Sequence, residues 1–148
     1  LHQADAARRR TALFQGRNTP LSVTLGDEIL VPAICFESLQ MESALRAKDV
    51  GATVYVASVA KHMIGMERAH RHYATVALEL GMIVLVSNGV GHADGFEMAG
   101  ESAAWDNSGA LKCRAGTEDE ALVVYDLAEQ SGSTVSVPAM SNTGVGER

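Results

Sequence analysis

The hydrophobic positions of the chain alternate with polar positions in short stretches, or run together, in a way that predicts short β-strands. Residues 21–25 alternate, and the turn signal Gly26-Asp27 separates them from an apolar run that predicts a second strand over 28–34. Pro32 is expected to cause a bulge or a missing ladder bond in that second strand. The two stretches together therefore predict a β-hairpin.

Two amphipathic stretches between further apolar runs predict helices. The first is expected over 39–50 with Ser38 as its N-cap, and the second over 66–80, where apolar side chains recur at helical spacing. Buried strands are predicted at 53–57 and 83–86. This alternation predicts an α/β fold with a βαβ-like unit, in which both helices cover one face of a sheet.

The second half of the chain is richer in turn signals. A mobile, polar, Gly-rich loop is expected over 89–100. Three strands joined by turns are predicted after it, at 102–105, 110–113 and 121–127, and Asp106-Asn-Ser-Gly109 has strong turn chemistry.

The two ends of the chain are polar and predict little packed structure. Residues 1–20 are expected to form a loop or loosely packed arm, and the Ser/Gly/Thr-rich residues 128–148 a flexible tail or extended arm. The region 21–127 is then a single domain.

Composition narrows the class of protein. The chain has 148 residues, 47% of them hydrophobic and 20% charged, which is enough for one domain with a real core. Its net charge of −6 argues against a nucleic-acid partner or an anionic membrane surface, and no apolar run approaches the ~20 residues that span a bilayer. Two cysteines, Cys35 and Cys113, make no disulfide framework, so a reducing cytoplasm is expected.

Cys35 is the first candidate for chemistry, because it lies where the strand over 28–34 gives way to a helix. The nearby helix N-terminus favours a thiolate there and would lower the pKa of the thiol. Such a corner suits a nucleophile, since rigid elements hold the residue while its sulfur can face a cleft. The alternative is a small buried core cysteine.

Four motifs, in this order, resemble the C-terminal half of the nitrilase, or carbon–nitrogen hydrolase, superfamily. They are Ala33-Ile-Cys-Phe-Glu37, Gly51-Ala52 before a strand, Met82-Ile-Val-Leu-Val-Ser-Asn88-Gly-Val-Gly91, and Gly100-Glu-Ser102-Ala-Ala-Trp-Asp106-Asn-Ser-Gly109. The resemblance covers about 21–127. It implies an α-β-β-α sandwich of nitrilase type, of which this chain would contain only the C-terminal half.

The resemblance also implies an activity, that of an amidase or nitrilase. A cysteine of a Glu–Lys–Cys triad attacks a small amide or nitrile, and water hydrolyses the resulting thioester-type intermediate. Cys35 matches the nucleophile, and the backbone N–H of Phe36 matches one oxyanion donor. No metal and no cofactor are expected. A homo-oligomer is expected, because such enzymes generally pair through helices beside the active site.

The family's Glu and Lys have no match in this chain. Both precede the cysteine in the family, yet no lysine precedes Cys35. A Leu-His pair follows the lysine in related enzymes and the chain begins Leu1-His2, so both residues are expected ahead of the first position. The upstream cations are Arg8, Arg9, Arg10 and Arg17, and arginine suits binding better than proton transfer.

Two hypotheses follow from that departure. One is a hydrolase centred on Cys35 whose N-terminal half is missing from this chain or supplied by another. The other is a catalytically inactive, truncated hydrolase-like protein with a structural or interaction role.

Four further residues are candidates for a pocket. Glu37 can face the cleft or cap the helix, with capping favoured. Lys61 lies in a loop that borders the pocket in similar enzymes, although a solvated lysine is the simpler interpretation. His62, like His92, can pair with Cys35 as a Cys–His dyad, but nothing in the spacing requires it. Asn88 is expected to bond the backbone of its own turn.

The remaining candidates favour structural roles. His70 and His72 are two residues apart on a predicted helix, so they point in different directions and are expected to be solvated. Trp105 is expected in the core or an interface, and Cys113 is expected to pack in a strand.

Overall fold

The computed structural model of the chain describes residues 19–93 and 95–138 as short strands around two α-helices. The helices are α1 (Met41–Asp49) and α2 (Met63–Leu80), and a 3-10 turn, the Cys35 turn, covers Cys35–Leu39. The strands are β1 (Val23–Leu25), β2 (Glu28–Ile34), β3 (Val54–Val59), β4 (Ile83–Asn88), β5 (Val90–Ala93), β6 (Phe96–Ala99), β7 (Ala103–Trp105), β8 (Leu111–Arg114), β9 (Ala121–Asp126) and β10 (Ser131–Ser136).

Six of these strands form one sheet in the order β1-β2-β3-β4-β7-β8. The three central strands β2, β3 and β4 are parallel, and β1, β7 and β8 are each antiparallel to a neighbour. The connections between the parallel strands carry α1 and α2. The sheet predicted from the apolar runs, with a helix after each of its first two buried strands, is therefore confirmed.

The core lies between this sheet and the helices. Alternate side chains of β2, β3 and β4 point toward α1 and α2, because successive residues of a strand face opposite sides. Trp105 on β7 is 3% exposed, so the expectation that it belongs to the core is confirmed. The largest fully buried side chains are those of Tyr55, Tyr73, Met66, Met82, Val31, Val76 and Val84.

The opposite side of β2, β3 and β4, here called the open face, is also apolar. Leu30, Val56 and Leu85 are half-buried on it. Ile34 is 62% exposed, and Val23 on β1 is 53% exposed, so the half-buried strand expected over 21–25 is more exposed than predicted. The β9–β10 hairpin packs over β7 and β8 on this side, leaving the parallel strands partly exposed.

Both helices begin at residues other than those predicted. Gln40, not Ser38, precedes α1, because residues 35–39 form the Cys35 turn and Ser38 is buried. The second helix begins at Met63 rather than at residue 66, because the ring Nδ1 of His62 accepts the N–H of Gly65 and caps it. None of the helices described here is long and apolar enough to span a bilayer.

Pro32 causes no bulge in β2, where its register with β3 is regular. The N–H and C=O of Ile29 face Thr53 at the start of β3, so alternation points the nitrogen of Pro32 toward the β1 side. Pairing with β1 has ended there, at Leu30. Within the part of the chain that the structure describes, the missing donor therefore removes no ladder bond.

Two stretches expected to lack regular structure form hairpins. The Gly-rich loop predicted over 89–100 contains the paired strands β5 and β6, and the tail predicted from 128 contains β10, which pairs with β9 along its whole length. Residues 90–93, 96–99 and 131–136 are therefore strand rather than loop or tail. The turn after Asp106 is confirmed, since its carboxylate accepts the N–H groups of Ser108 and Ala110. The arm predicted over 1–20 lies almost entirely outside the described residues, as do residues 139–148.

Two glycines with nearly equal positive φ angles allow steric crowding to be compared with backbone strain. Gly81 and Gly100 have φ of 61° and 60°, but an added Cβ meets open space at Gly81 and the carbonyl oxygen of Gly116, 2.5 Å away, at Gly100. We expect Gly81→Ala to cost about 1–2 kcal/mol of unfolding free energy. Gly100→Ala should cost about 1–3 kcal/mol more because backbone must move. Urea titration measures both, and equal losses would contradict the crowding.

Candidate active site

The carboxyl ends of the three parallel strands meet at one edge of the sheet and bring most of the candidate residues there. Cys35 follows β2, Lys61 follows β3, and Asn88 is the last residue of β4. The register pairs Ile34 with Ser58 and Val59 with Asn88 across this edge. Crevices at the carboxyl ends of parallel strands are common ligand sites. The edge is thus the candidate active site.

Cys35 has an unusual backbone at this edge. Its φ is 50°, the left-handed region, although it is not glycine, and the residue is exposed. Such a conformation costs roughly 1–2 kcal/mol and persists where neighbouring contacts hold it. Two contacts do so: the Glu37 carboxylate accepts the N–H of Ile34 at 2.8 Å, and the Ser38 hydroxyl donates to the C=O of Cys35 at 2.6 Å. Glu37 therefore caps the Cys35 turn, whereas the sequence favoured it as a cap of the helix predicted over 39–50.

Helix α2 holds the Cys35 turn from beneath. The hydroxyl oxygens of Ser38 and Tyr73 lie 2.7 Å apart in the buried interior, and Nε2 of His72 lies 3.1 Å from the carbonyl oxygen of Ser38. Burial raises the pKa of Tyr73 to about 12, so this phenol is protonated at neutral pH. Burial lowers the pKa of His72.

The sequence interpretation of the two helix histidines was wrong. His72 is half-buried against Ser38, and His70 is half-buried with Nε2 2.9 Å from the carbonyl oxygen of Glu101 and its ring edge-on to Trp105. Tyr73 lies among the side chains at helical spacing that predicted the helix over 66–80, and that spacing gives its hydroxyl no polar partner. The contact between Tyr73 and Ser38 had one signal in the sequence, which is the presence of a serine three residues after the cysteine.

Asn88 joins the loops that follow β3 and β6. Its Oδ1 accepts the N–H of Lys61 at 2.8 Å, while its Nδ2 donates to the C=O groups of Lys61 and Gly100 at 3.1 and 2.8 Å. The side chain of Asn88 was expected to bond the backbone of its own turn. Its partners lie instead on two neighbouring loops. This amide holds the half-buried Lys61 through its backbone.

The two histidines that could serve as bases for Cys35 contact other groups, His62 through a hydrogen bond and His92 through a carboxylate near its ring. His62 caps α2, with its ring edge-on to Phe96, and Nδ1 of His92 lies 3.7 Å from the Glu97 carboxylate. No hydrogen bond within 19–93 and 95–138 joins either ring to Cys35. The geometry gives a Cys–His dyad no support.

A polar cavity of about 300 Å³ lies beyond the end of β4. Its lining does not include Cys35, so it is separate from the Cys35 turn. Across the described ranges, no group of three His, Cys, Asp or Glu side chains is arranged to hold a metal ion. The residues that line the cavity include Asn88, Gly89, Glu101, Ser102, Asp119 and Glu120.

Comparison with known proteins gives a consistent result. The carbon–nitrogen hydrolase family model matches residues 2–135. The NitN amidase from Nesterenkonia sp. AN1 superposes with a TM-score of 0.65 at 20% identity, covering 70% of this chain and 40% of the amidase. No protein of curated function matches the chain.

Two further solved structures share the fold. A mutant of the Nesterenkonia sp. AN1 amidase in complex with butyramide has a TM-score of 0.66 at 18% identity, covering 84% of this chain and 43% of that one. Saccharomyces cerevisiae Nit3, of branch 10 of the nitrilase superfamily, has a TM-score of 0.63 at 17% identity, covering 69% and 38%. The chain thus spans about two fifths of the length of these structures.

The contacts of Asn88 predict a strong response to an isosteric change. In Asn88→Asp the NH2 group that donates to the carbonyl oxygens of Lys61 and Gly100 is replaced by a carboxylate oxygen, which can only accept. We expect a loss of about 3 kcal/mol or more in unfolding free energy at pH 7, because a buried charge is left unpaired. Asn107→Asp, in an exposed turn, makes the same chemical change and should stay within about 0.5 kcal/mol. Urea unfolding of both variants checks this, and equal effects would contradict it.

Proposed function

Because the chain belongs to the carbon–nitrogen hydrolase family, we propose that it forms part of an amidase- or nitrilase-like enzyme whose nucleophile is Cys35. The left-handed backbone of this residue carries the proposal. Strained non-glycine residues cluster at functional sites, and this one lies exposed where a buried parallel strand ends. That placement leaves the sulfur accessible while rigid elements hold its backbone.

The chemistry proposed is acyl transfer through sulfur. The thiolate of Cys35 attacks the amide carbon, a C–S bond forms, and the C–N bond breaks as a general acid protonates the departing amine. Water then cleaves the thioester and regenerates the thiol. The backbone N–H of Phe36 is the proposed oxyanion donor, because N–H groups in the first turn of a helix have no acceptor within it.

We propose that the general base and the cation come from polypeptide outside these 148 residues. The carboxylate of Glu37 already accepts a hydrogen bond from the backbone N–H of Ile34. No lysine precedes Cys35 in the sequence. The chain spans about 40% of the solved amidase, and its open face is an apolar sheet surface of the kind that a second sheet covers. A second sheet packed there would bring the missing Glu and Lys to the edge that carries Cys35.

The alternative is a catalytically inactive hydrolase-like protein with a structural or interaction role. It is favoured by one observation: among the described residues, no acid or base is hydrogen-bonded to the sulfur of Cys35. The two proposals differ in whether a complementing polypeptide restores turnover.

The substrate proposed is a small amide or nitrile. A mutant of one structural neighbour binds butyramide, which sets the size of molecule to try first. A reducing compartment such as the cytoplasm is proposed because Cys35 and Cys113 are both free.

Thiol labelling tests the assignment of the nucleophile. We expect iodoacetamide to modify Cys35 about tenfold faster than Cys113, because Cys113 is half-buried and burial raises the pKa of its thiol. Peptide mapping over a time course measures both rates. Cys113→Ser is the matched control and should leave the labelling of Cys35 unchanged. Preferential labelling of Cys113 would remove Cys35 as the nucleophile.

An ammonia-release assay with simple amides, run on the same protein, tests turnover. The chain alone should release none, because it lacks the base and the cation. Turnover that Cys35→Ala abolishes would show that a base exists within the chain, and His62 and His92 would be the first residues to replace.

Self-association tests the open face. We expect the chain to form oligomers at micromolar concentration, because an apolar sheet face of this size is unfavourable in water. The double variant Val23→Lys/Ile34→Lys places charges on that face and should shift sedimentation toward monomer. Leu78→Lys, at a residue 63% exposed on α2, is the control for the helix side. Dissociation by Leu78→Lys alone would assign the interface to the helices instead.

A further inference from the structure

The peptide unit that joins Cys35 to Phe36 has a fixed hydrogen-bond partner on one side. Its carbonyl oxygen accepts from the Ser38 hydroxyl at 2.6 Å, and its N–H is the proposed oxyanion donor. The described chain has no cis peptide bond, and the C=O and N–H of a planar trans peptide point in opposite directions. The hydrogen bond from Ser38 therefore sets the direction in which the Phe36 N–H points.

The direction of the neighbouring hydrogen bond follows by elimination. Ser38 has a single hydroxyl hydrogen, and the carbonyl of Cys35 can only accept. That hydrogen therefore goes to Cys35, and the Tyr73 hydroxyl, 2.7 Å away, must donate to Ser38. A protonated Tyr73 fits this role, since burial raises its pKa to about 12.

Helix α2 holds the same segment at a second point. Nε2 of His72 lies 3.1 Å from the carbonyl oxygen of Ser38, an acceptor, so this nitrogen carries the proton and donates. Successive residues of α2 thus fix both the backbone and the side chain of Ser38. Ser38 itself is 0% exposed, so water does not compete for its hydroxyl.

We propose that Tyr73 and Ser38 are positioning residues. They orient the backbone N–H of Phe36 and strengthen it as a hydrogen-bond donor to the oxyanion that forms when Cys35 attacks the substrate. The chain of donors runs from the Tyr73 hydroxyl to the Ser38 hydroxyl, to the C=O of Cys35, and through the peptide plane to the Phe36 N–H. Each hydrogen bond in such a chain polarises the next, which makes the terminal N–H a better donor. This inference rests on the proposed function, because it takes Cys35 as the nucleophile.

Two reagents separate oxyanion stabilisation from thiol reactivity. Acylation by p-nitrophenyl acetate forms a tetrahedral oxyanion, whereas alkylation by iodoacetamide displaces iodide and forms none. Both reactions need the thiolate of Cys35, so their ratio is independent of its protonation. The experiment uses the full chain in a Cys113→Ser background, with peptide mapping to confirm that Cys35 is the residue modified.

The expected results differ between the reagents. Tyr73→Phe and Ser38→Ala should slow acylation of Cys35 by about 5- to 10-fold, less than the ~100-fold loss on deleting a donor outright, and leave alkylation unchanged. Ser38→Thr keeps a hydroxyl and should restore acylation. Tyr55→Phe is the matched control, since among the described residues no hydrogen bond joins this buried tyrosine hydroxyl to Ser38 or to the Cys35 turn. It should leave both rates unchanged.

Each other result points to a definite failure. Equal slowing of both reactions would overturn the inference, because the hydroxyls would then act on the thiol or the fold. Unchanged acylation in Ser38→Ala, whose fold circular dichroism checks, would overturn it even where Tyr73→Phe does not fold. A parent chain whose Cys35 reacts with neither reagent would refute the proposed nucleophile itself, together with this inference.

Discussion

The structure depends on one constraint, which is the left-handed backbone of Cys35 at the end of a buried strand. This residue has a Cβ, unlike the glycine that usually adopts such a conformation. The conformation of Cys35 is unfavourable by itself, so the contacts around it must supply more than it costs. They come from both sequence-local and distant groups: Glu37 and Ser38 within the turn, and Tyr73 from α2. The sheet fixes where β2 ends, and the helix fixes how the chain leaves it.

The carboxyl edge of the sheet is organised by polar groups that each satisfy backbone. Asn88 uses both ends of its amide to join loops after β3 and β6, and Ser38 joins the Cys35 turn to α2. Buried side chains with all their hydrogen bonds formed rigidify their surroundings. The edge therefore has two rigid supports, one beneath the cysteine and one beside the parallel strand β4.

The sequence was sufficient for elements whose signal is local. The apolar runs in β2, β3 and β4 and the helical spacing in α2 gave the sheet and its helix layer. The helix starts were missed because His62 is an uncommon cap and because Ser38 has a preferred local role that a tertiary contact overrides. Contacts such as that between Ser38 and Tyr73, 35 residues apart, leave no periodic trace in a single sequence.

Among residues 19–93 and 95–138, no strand pairs with the outer edge of β2 beyond Leu30, a situation in which another chain can pair there and aggregate. Along this edge, the backbone nitrogens of residues 32 and 34 point outward, where an ordinary strand would offer two N–H donors. Pro32 has no N–H, and the N–H of Ile34 is held by the Glu37 carboxylate. An incoming strand would therefore find acceptors but no free donors there, and would lose the ladder bonds that those donors normally make. Pro32 and Glu37 together disfavour the pairing of another strand with this edge, and hence aggregation, while Cys35 beside it stays accessible.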